Sequence, residues 1–275
     1  MNTNKRQKQV RFIHKVKEWH KTHAPDLPWR ATKNPYHILV SEVMLQQTQI
    51  PRVLIKYPLF LKNFPNVQAL ASASLQHILA VWSGMGYNRR ALFLRNAAEI
   101  IIRVHGDKVP KGIAALDALP GIGPYSARAI TCFAYGICEP FVETNIRRAI
   151  IHEFFPRKKN ITDKEILQML QHIQPPDSSI QREWYWALMD YGRDALQKVP
   201  NANRRSKHYV KQSRFEGSSR YVRAKIISYL LENKKATEDE LIQSLKKNRG
   251  AIILALANLE REKLIRRSRV FFRIA

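Results

Sequence analysis

Two short stretches hold residues whose types and spacing could do chemistry. Glu42 stands in Ile38-Leu39-Val40-Ser41-Glu42-Val43-Met44-Leu45, an otherwise apolar segment with helical character. An acidic side chain is awkward there unless it has a task, and partial burial favours its neutral, proton-donating form. The second stretch, Leu119-Pro120-Gly121-Ile122-Gly123-Pro124-Tyr125-Ser126-Ala127, lies between two helical patterns. Gly121 and Gly123 permit a tight turn and close backbone approach, and Pro124 suits the first position of a new helix. The N–H groups and dipole at that helix start favour an anion. Lys and Arg number 47 against 22 acidic residues, a net charge of +25. The expected anion is therefore a nucleic-acid phosphate, held in a contact that positions without reading sequence.

The elements that must position these residues read as helices. Apolar residues recur at helical spacing in 7–23, then near 36–47, 51–63, 75–82, 88–105, 113–119, 125–135, 144–154, 163–173 and 181–195, with Pro, Gly or Asn at the breaks. No alternating run with hairpin turns precedes about residue 262, so an all-α body is expected over 1–196. Residues 197–217 are polar and basic and read as a linker or an extended basic segment. From 218 to 275, three helical patterns, one opened by a Thr237–Glu240 capping box, lead to two short β-like runs split at Ser268. That order is winged-helix-like. No stretch approaches the ~20 apolar residues that span a bilayer, so a cytoplasmic protein is expected, nucleoid-associated in a bacterial cell. The two cysteines, Cys132 and Cys138, supply neither a disulfide framework nor a four-cysteine site and read as small core residues.

The hairpin LPGIGPYSARAI resembles the helix-hairpin-helix of the endonuclease III and MutY superfamily. The run Leu27-Pro28-Trp29-Arg30 to Asn34-Pro35-Tyr36, then Ser41-Glu42-Val43-Met44-Leu45-Gln46-Gln47-Thr48-Gln49 and Trp82-Ser83-Gly84-Met85-Gly86-Tyr87, is similar to its adenine glycosylase branch. The likeness covers about residues 8–196. It implies a two-lobed all-α core that flips a base from duplex DNA, with the DNA groove between lobes and Glu42 and Glu143 facing across it. The reaction implied is hydrolysis of the N-glycosidic bond of a mispaired adenine opposite 8-oxoguanine or guanine. Glu42 becomes the acid that protonates the leaving base. Gln46 and Gln47 match residues that wedge into the duplex, Tyr87 their intercalating partner, and Arg30, Thr48, Gly121, Gly123 and Ser126 complete the expected DNA contacts.

The sequence departs from that pattern at several points. The family's V-D-x-N-like motif appears as Val142-Glu143-Thr144-Asn145, so Glu143 stands where Asp is expected. Its carboxylate would stabilise the sugar cation, although the local sequence also allows an N-cap acid ahead of Asn145. Tyr125 occupies the place of the Schiff-base lysine of bifunctional relatives, and no lysine lies in 112–157. A hydrolytic, monofunctional enzyme follows. Most relatives carry four cysteines for a [4Fe–4S] cluster, whereas 193–213 has none, so no cluster is expected. Arg204, Arg205 and Lys207 would take over phosphate contacts there, and the hairpin leaves room for a monovalent cation. The 58 residues of 218–275 are too few for the Nudix-like domain of full-length adenine glycosylases. A monomer acting on double-stranded DNA with a mispaired or damaged base is expected. Two alternatives stay open: a glycosylase for uracil or thymine opposite G, and a catalytically weak lesion-binding module.

Overall fold

A computed structural model describes residues 3–211 and 214–275. Its helices, in chain order, are α1 (Thr3–His23), α2 (Pro35–Leu45), α3 (Ile50–Asn63), α4 (Val67–Ser72), α5 (Leu75–Trp82), α6 (Arg89–His105), α7 (Ile113–Asp117), α8 (Pro124–Tyr135), α9 (Thr144–Phe154), α10 (Asp163–Ile173) and α11 (Gln181–Asp190). A π-helical turn, Tyr191–Ala195, extends α11. After a 3₁₀ turn at Ala202–Arg205 come α12 (Ser219–Asn233), β1 (Ala236–Thr237), α13 (Glu238–Leu245), α14 (Arg249–Arg261), β2 (Ile265–Ser268) and β3 (Phe271–Ile274). The body is all-α, as the apolar spacing predicts. The spacing does not predict the short α4. It has one apolar turn, and Asn66 starts it by accepting from the Ala69 N–H at 2.8 Å.

The chain divides into two compact units: Met1–Ile38, Lys111–Asp117 and Ile122–Lys211 in one, and Leu39–Pro110, Ala118–Gly121 and Gln212–Ala275 in the other. The first is built on aromatic packing. The Phe141 and Tyr185 rings stack at 4.3 Å, and Phe12 meets Phe154 edge-on at 5.1 Å. Asp190, fully buried, accepts from Arg30 Nη1 and Nη2 at 2.6 and 2.8 Å and pairs with Arg193 at 3.1 Å. A charge so deeply buried persists only when paired in this way. The second unit centres on Phe60, Phe64 and Trp82. It also includes the C-terminal helices, whose expected β-hairpin forms between β2 and β3 and gains β1 to give an antiparallel sheet of order β1-β3-β2. The Thr237–Glu240 capping box is present.

One expectation is corrected. Cys132 and Cys138 are buried but not free thiols: they form a disulfide with their Cα atoms 4.2 Å apart. The six-residue spacing spans the end of α8 and its Gly136 turn (φ 72°), which folds the chain back far enough for the bond. Within the basic segment 197–217, several residues pack against the body. Ala202, Asn203 and Ser206 are buried, and Ser206 bridges to Ile161. Arg148 donates to the carbonyls of Leu196 and Val199, and Asn203 Nδ2 to that of Thr144 at 3.0 Å. Within the segment, Arg205 donates to the carbonyls of Ile151, Phe155 and Pro156 around the end of α9, which gives a basic residue a place to settle here. Gln212 and Ser213 lie outside the described residues.

Candidate active site

Helix α2 begins at Pro35, with Asn34 Oδ1 accepting from the Tyr36 N–H at 2.9 Å and the His37 N–H at 3.3 Å. Every residue from Ile38 to Met44 is buried, and Glu42 is 6% exposed among them. A helix buried all round is normally apolar, so a carboxyl group inside it is the departure that marks a site.

Arg90 organises the chain just beyond α2, although no sequence motif singles it out. It is 8% exposed. Its Nη1 donates to the carbonyls of Val43 and Met44, both at 2.9 Å, and to that of Gln46; its Nη2 donates to Thr48 Oγ1 at 2.9 Å, Met85 O at 3.3 Å and Gly86 O at 3.1 Å. One guanidinium thus closes the α2 C-terminus and joins Gln46–Thr48 to Met85–Gly86. Burial brings the Arg90 pKa down to about 10, still far above neutrality, so the charge stays. The only sequence signal for it is an arginine four residues past Gly86 on an apolar helix face.

The two loops that Arg90 joins each carry a strained residue. Gln47 has φ 57° and Tyr87 φ 48°, left-handed conformations uncommon for bulky side chains and concentrated at functional positions. Gln47 is exposed and Tyr87 38% exposed. Gln46 Nε2 donates to Gly121 O at 3.1 Å, which ties the first loop to the hairpin. Gly121 has φ 77°, and a Cβ there would meet the Phe93 side chain at 2.9 Å, so turn and packing both require glycine. At the hairpin's end Gly123 caps α8 and Pro124 opens it, as the sequence predicts. Ser126 is 3% exposed, so its side chain is not a surface phosphate ligand.

Glu143 is the N-cap of α9. Its Oε2 accepts from the Asn145 N–H at 2.6 Å and the Ile146 N–H at 3.4 Å, and Asn145 Nδ2 reaches Oε1 at 3.2 Å. The capping alternative is therefore realised, and it orients the carboxylate rather than consuming it, because each oxygen has further lone pairs. Burial pushes the Glu143 pKa up, with the Asn145 and Ile146 N–H groups and Arg147 pulling the other way. Beneath it, the π-helical turn brings Gly192 so close that a Cβ would lie 2.0 Å from Asn145 O. π-Helical turns often occur at functional sites. Tyr125 is half-buried, its ring 5.8 Å from that of Phe141.

Two predicted DNA contacts are corrected. Arg30 is held by Asp190 and lies 5.2 Å from the Trp186 ring, which makes it a structural residue. Arg205 donates to the carbonyls of Ile151, Phe155 and Pro156, so it pins its own segment. Arg204 and Lys207 are exposed. A four-cysteine cluster does not fit this chain, whose two cysteines are bonded to each other. Among the described residues no group of three His, Cys, Asp or Glu stands together as metal ligands, and no helix is long and apolar enough to cross a membrane.

Residues 40–176, which hold Glu42, the hairpin and Glu143, match the HhH-GPD superfamily of base excision DNA repair proteins. An adenine DNA glycosylase of Mycolicibacterium smegmatis is 32% identical over 231 residues, covering 78% of this chain and 78% of that one. The chain belongs to the HhH-GPD superfamily. An adenine DNA glycosylase of Mycobacterium tuberculosis is 46% identical over 133 residues, 48% of this chain. That match spans 44% of the relative's length. Among solved structures, a thermostable thymine-DNA glycosylase superimposes with a TM-score of 0.64 at 25% identity, over 73% of this chain and 94% of that one. This HhH-GPD protein thus has the helix-hairpin-helix fold that its hairpin motif predicts.

Proposed function

We propose that this protein is a monofunctional DNA glycosylase that removes adenine mispaired with 8-oxoguanine or guanine in double-stranded DNA. The observation that carries the reading is the Glu42 carboxyl group buried in α2, on a helix whose end Arg90 ties to two strained, exposed loops. Glu42 in its neutral form donates a proton to the departing base, so adenine leaves neutral as its bond to the sugar breaks. Glu143, ionised and held by two backbone N–H groups, opposes the positive charge that develops on the sugar. Water then adds to the sugar carbon and gives up a proton to the Glu42 carboxylate, which restores the acid. Tyr125 offers no amine for a Schiff base, which supports hydrolysis without strand cleavage. Gln47 and Tyr87 enter the duplex and offset the stacking lost when the base flips. The α8 N-terminus, Arg204 and Lys207 hold phosphates.

The similarity to a thymine-DNA glycosylase favours a second reading, in which the excised base is thymine or uracil opposite G. Residues 1–196 are proposed as the glycosylase core and 218–275 as a winged-helix-like domain, working as a monomer in the cytoplasm or on the nucleoid without an iron–sulfur cluster. The deciding experiment is alkaline cleavage of labelled duplexes carrying A·8-oxoguanine, A·G, U·G or T·G. Cutting of the two adenine duplexes alone is expected. Cutting of U·G or T·G instead selects the second reading, and no cutting of any leaves a DNA-binding module.

A further inference from the structure

The C-terminal sheet has one buried face and one cationic face. Cross-strand partners in an antiparallel pair point to the same side. Ile265 lies opposite Ile274 and Arg267 opposite Phe272, and Ile265, Phe272 and Ile274 are buried, which makes theirs the core side. The outer side therefore sets Arg266 directly opposite Arg273, and Ser268 opposite Phe271. Thr237 of β1 pairs beside Phe271, and Lys235 Nζ lies 4.5 Å from the Phe271 ring. Arg269, in the turn between β2 and β3, has φ 56°, a left-handed conformation that such turns ordinarily fill with glycine or asparagine. Lys235, Arg266, Arg269 and Arg273 are all exposed.

Among the described residues none of these four cations pairs with a carboxylate. Glu262 pairs instead with Arg223, and Glu238 and Asp239 with Arg249. Like charges directly opposite one another weaken a sheet, and an anion lying between them relieves the repulsion. A phosphate backbone supplies such an anion at every step, and a guanidinium fork can take two of its oxygens at once. None of the four lines the cavity beside Gln47 and Tyr87. Helix α14 offers a contrast. In helix-turn-helix variants a helix enters the major groove to read base edges, yet the exposed face of α14 is Gly250, Ile253, Leu254 and Ala257. No side chain on that face can donate to or accept from a base.

We infer that the outer face of the β2–β3 hairpin is a DNA anchor, in which Arg266, Arg273, Arg269 and Lys235 grip the phosphates of duplex DNA without reading sequence. The inference rests on the reading of a protein that acts on duplex DNA, but not on which base is removed, and its test needs no bond cleavage. Full-length protein is titrated by anisotropy against two lesion-free duplexes of unrelated sequence, at salt concentrations from about 50 to 200 mM. The double variant Arg266→Gln/Arg273→Gln should weaken binding to both duplexes alike and lower the slope of log affinity against log salt by about 2. Arg266→Lys/Arg273→Lys, which keeps both charges, should keep the slope. Without DNA and at low salt, the glutamine variant should melt at or above the wild-type temperature, because a repulsion has been removed. An unchanged slope in the glutamine variant would overturn the anchor. So would a lower melting temperature, which would assign the two arginines to the stability of the sheet, or a loss confined to one sequence, which would mean that bases are read. Failure of adenine excision in the separate cleavage assay would overturn the catalytic reading and leave this result standing.

Discussion

In the proposed mechanism, Glu42 and Glu143 are two carboxyl groups given different duties by their surroundings. Glu42→Gln keeps the shape and removes the proton, so single-turnover excision should fall about 100-fold or more with duplex binding retained; an equal loss of binding would reassign Glu42 to structure. For Glu143 the cap geometry fixes the carboxylate at glutamate length. Glu143→Asp, about one methylene short, should be slower than wild type, and Glu143→Gln slowest. The raised Glu143 pKa has a sign that can be checked. Ionising this acid is harder in the folded protein than in the unfolded chain, so the stability it contributes is present at low pH and lost as pH rises through its folded pKa. The melting temperature of Glu143→Gln relative to wild type should therefore be higher at pH 7 than at pH 4, and a difference that does not change with pH would count against burial of the charge. Glu42 is readable from sequence because an acid in an apolar helix is a visible contradiction. Arg30 and Arg205 mislead because a surplus of charge suggests phosphates, and only folding shows which cations have carbonyls or Asp190 to satisfy.

At the scale of elements, the helices are legible from their 3.6-residue spacing and from Pro, Gly and Asn at their ends. The contacts made by Arg90 are not, because they join residues up to 47 positions apart. Arg90→Met would leave several carbonyls without a donor in a buried place. Stability should drop by about 3 kcal/mol or more, read as a shift in denaturation midpoint, and excision should fall with it. The π-helical turn is equally invisible, since its role is an absence of side chain at Gly192. Gly192→Ala forces Cβ against Asn145 O, and should cost about 2 kcal/mol or more and slow excision by displacing the start of α9. Normal stability and rate in that variant would show that α9 can shift without consequence to Glu143.

For the whole molecule, a net charge of +25 is a long-range attraction for any duplex, and its parts separate by exposure. Replacing the exposed Arg204 and Lys207 together by Glu should weaken binding to matched and mispaired duplexes alike and lower the salt slope by about 2. Arg205→Glu should instead destabilise the fold, seen as a lower melting temperature without DNA. A change in base preference from the double variant would mean that this segment reads sequence. The division of the chain has a consequence in time. The second unit is assembled from Leu39–Pro110, Ala118–Gly121 and Gln212–Ala275, so a ribosome finishes its first piece about a hundred residues before beginning its last. At about 5–20 residues per second, the nascent chain waits some 5–20 s with the face of α5 that α12 will cover still open to water. Synthesis, rather than the mature protein, is when this molecule is most exposed to aggregation.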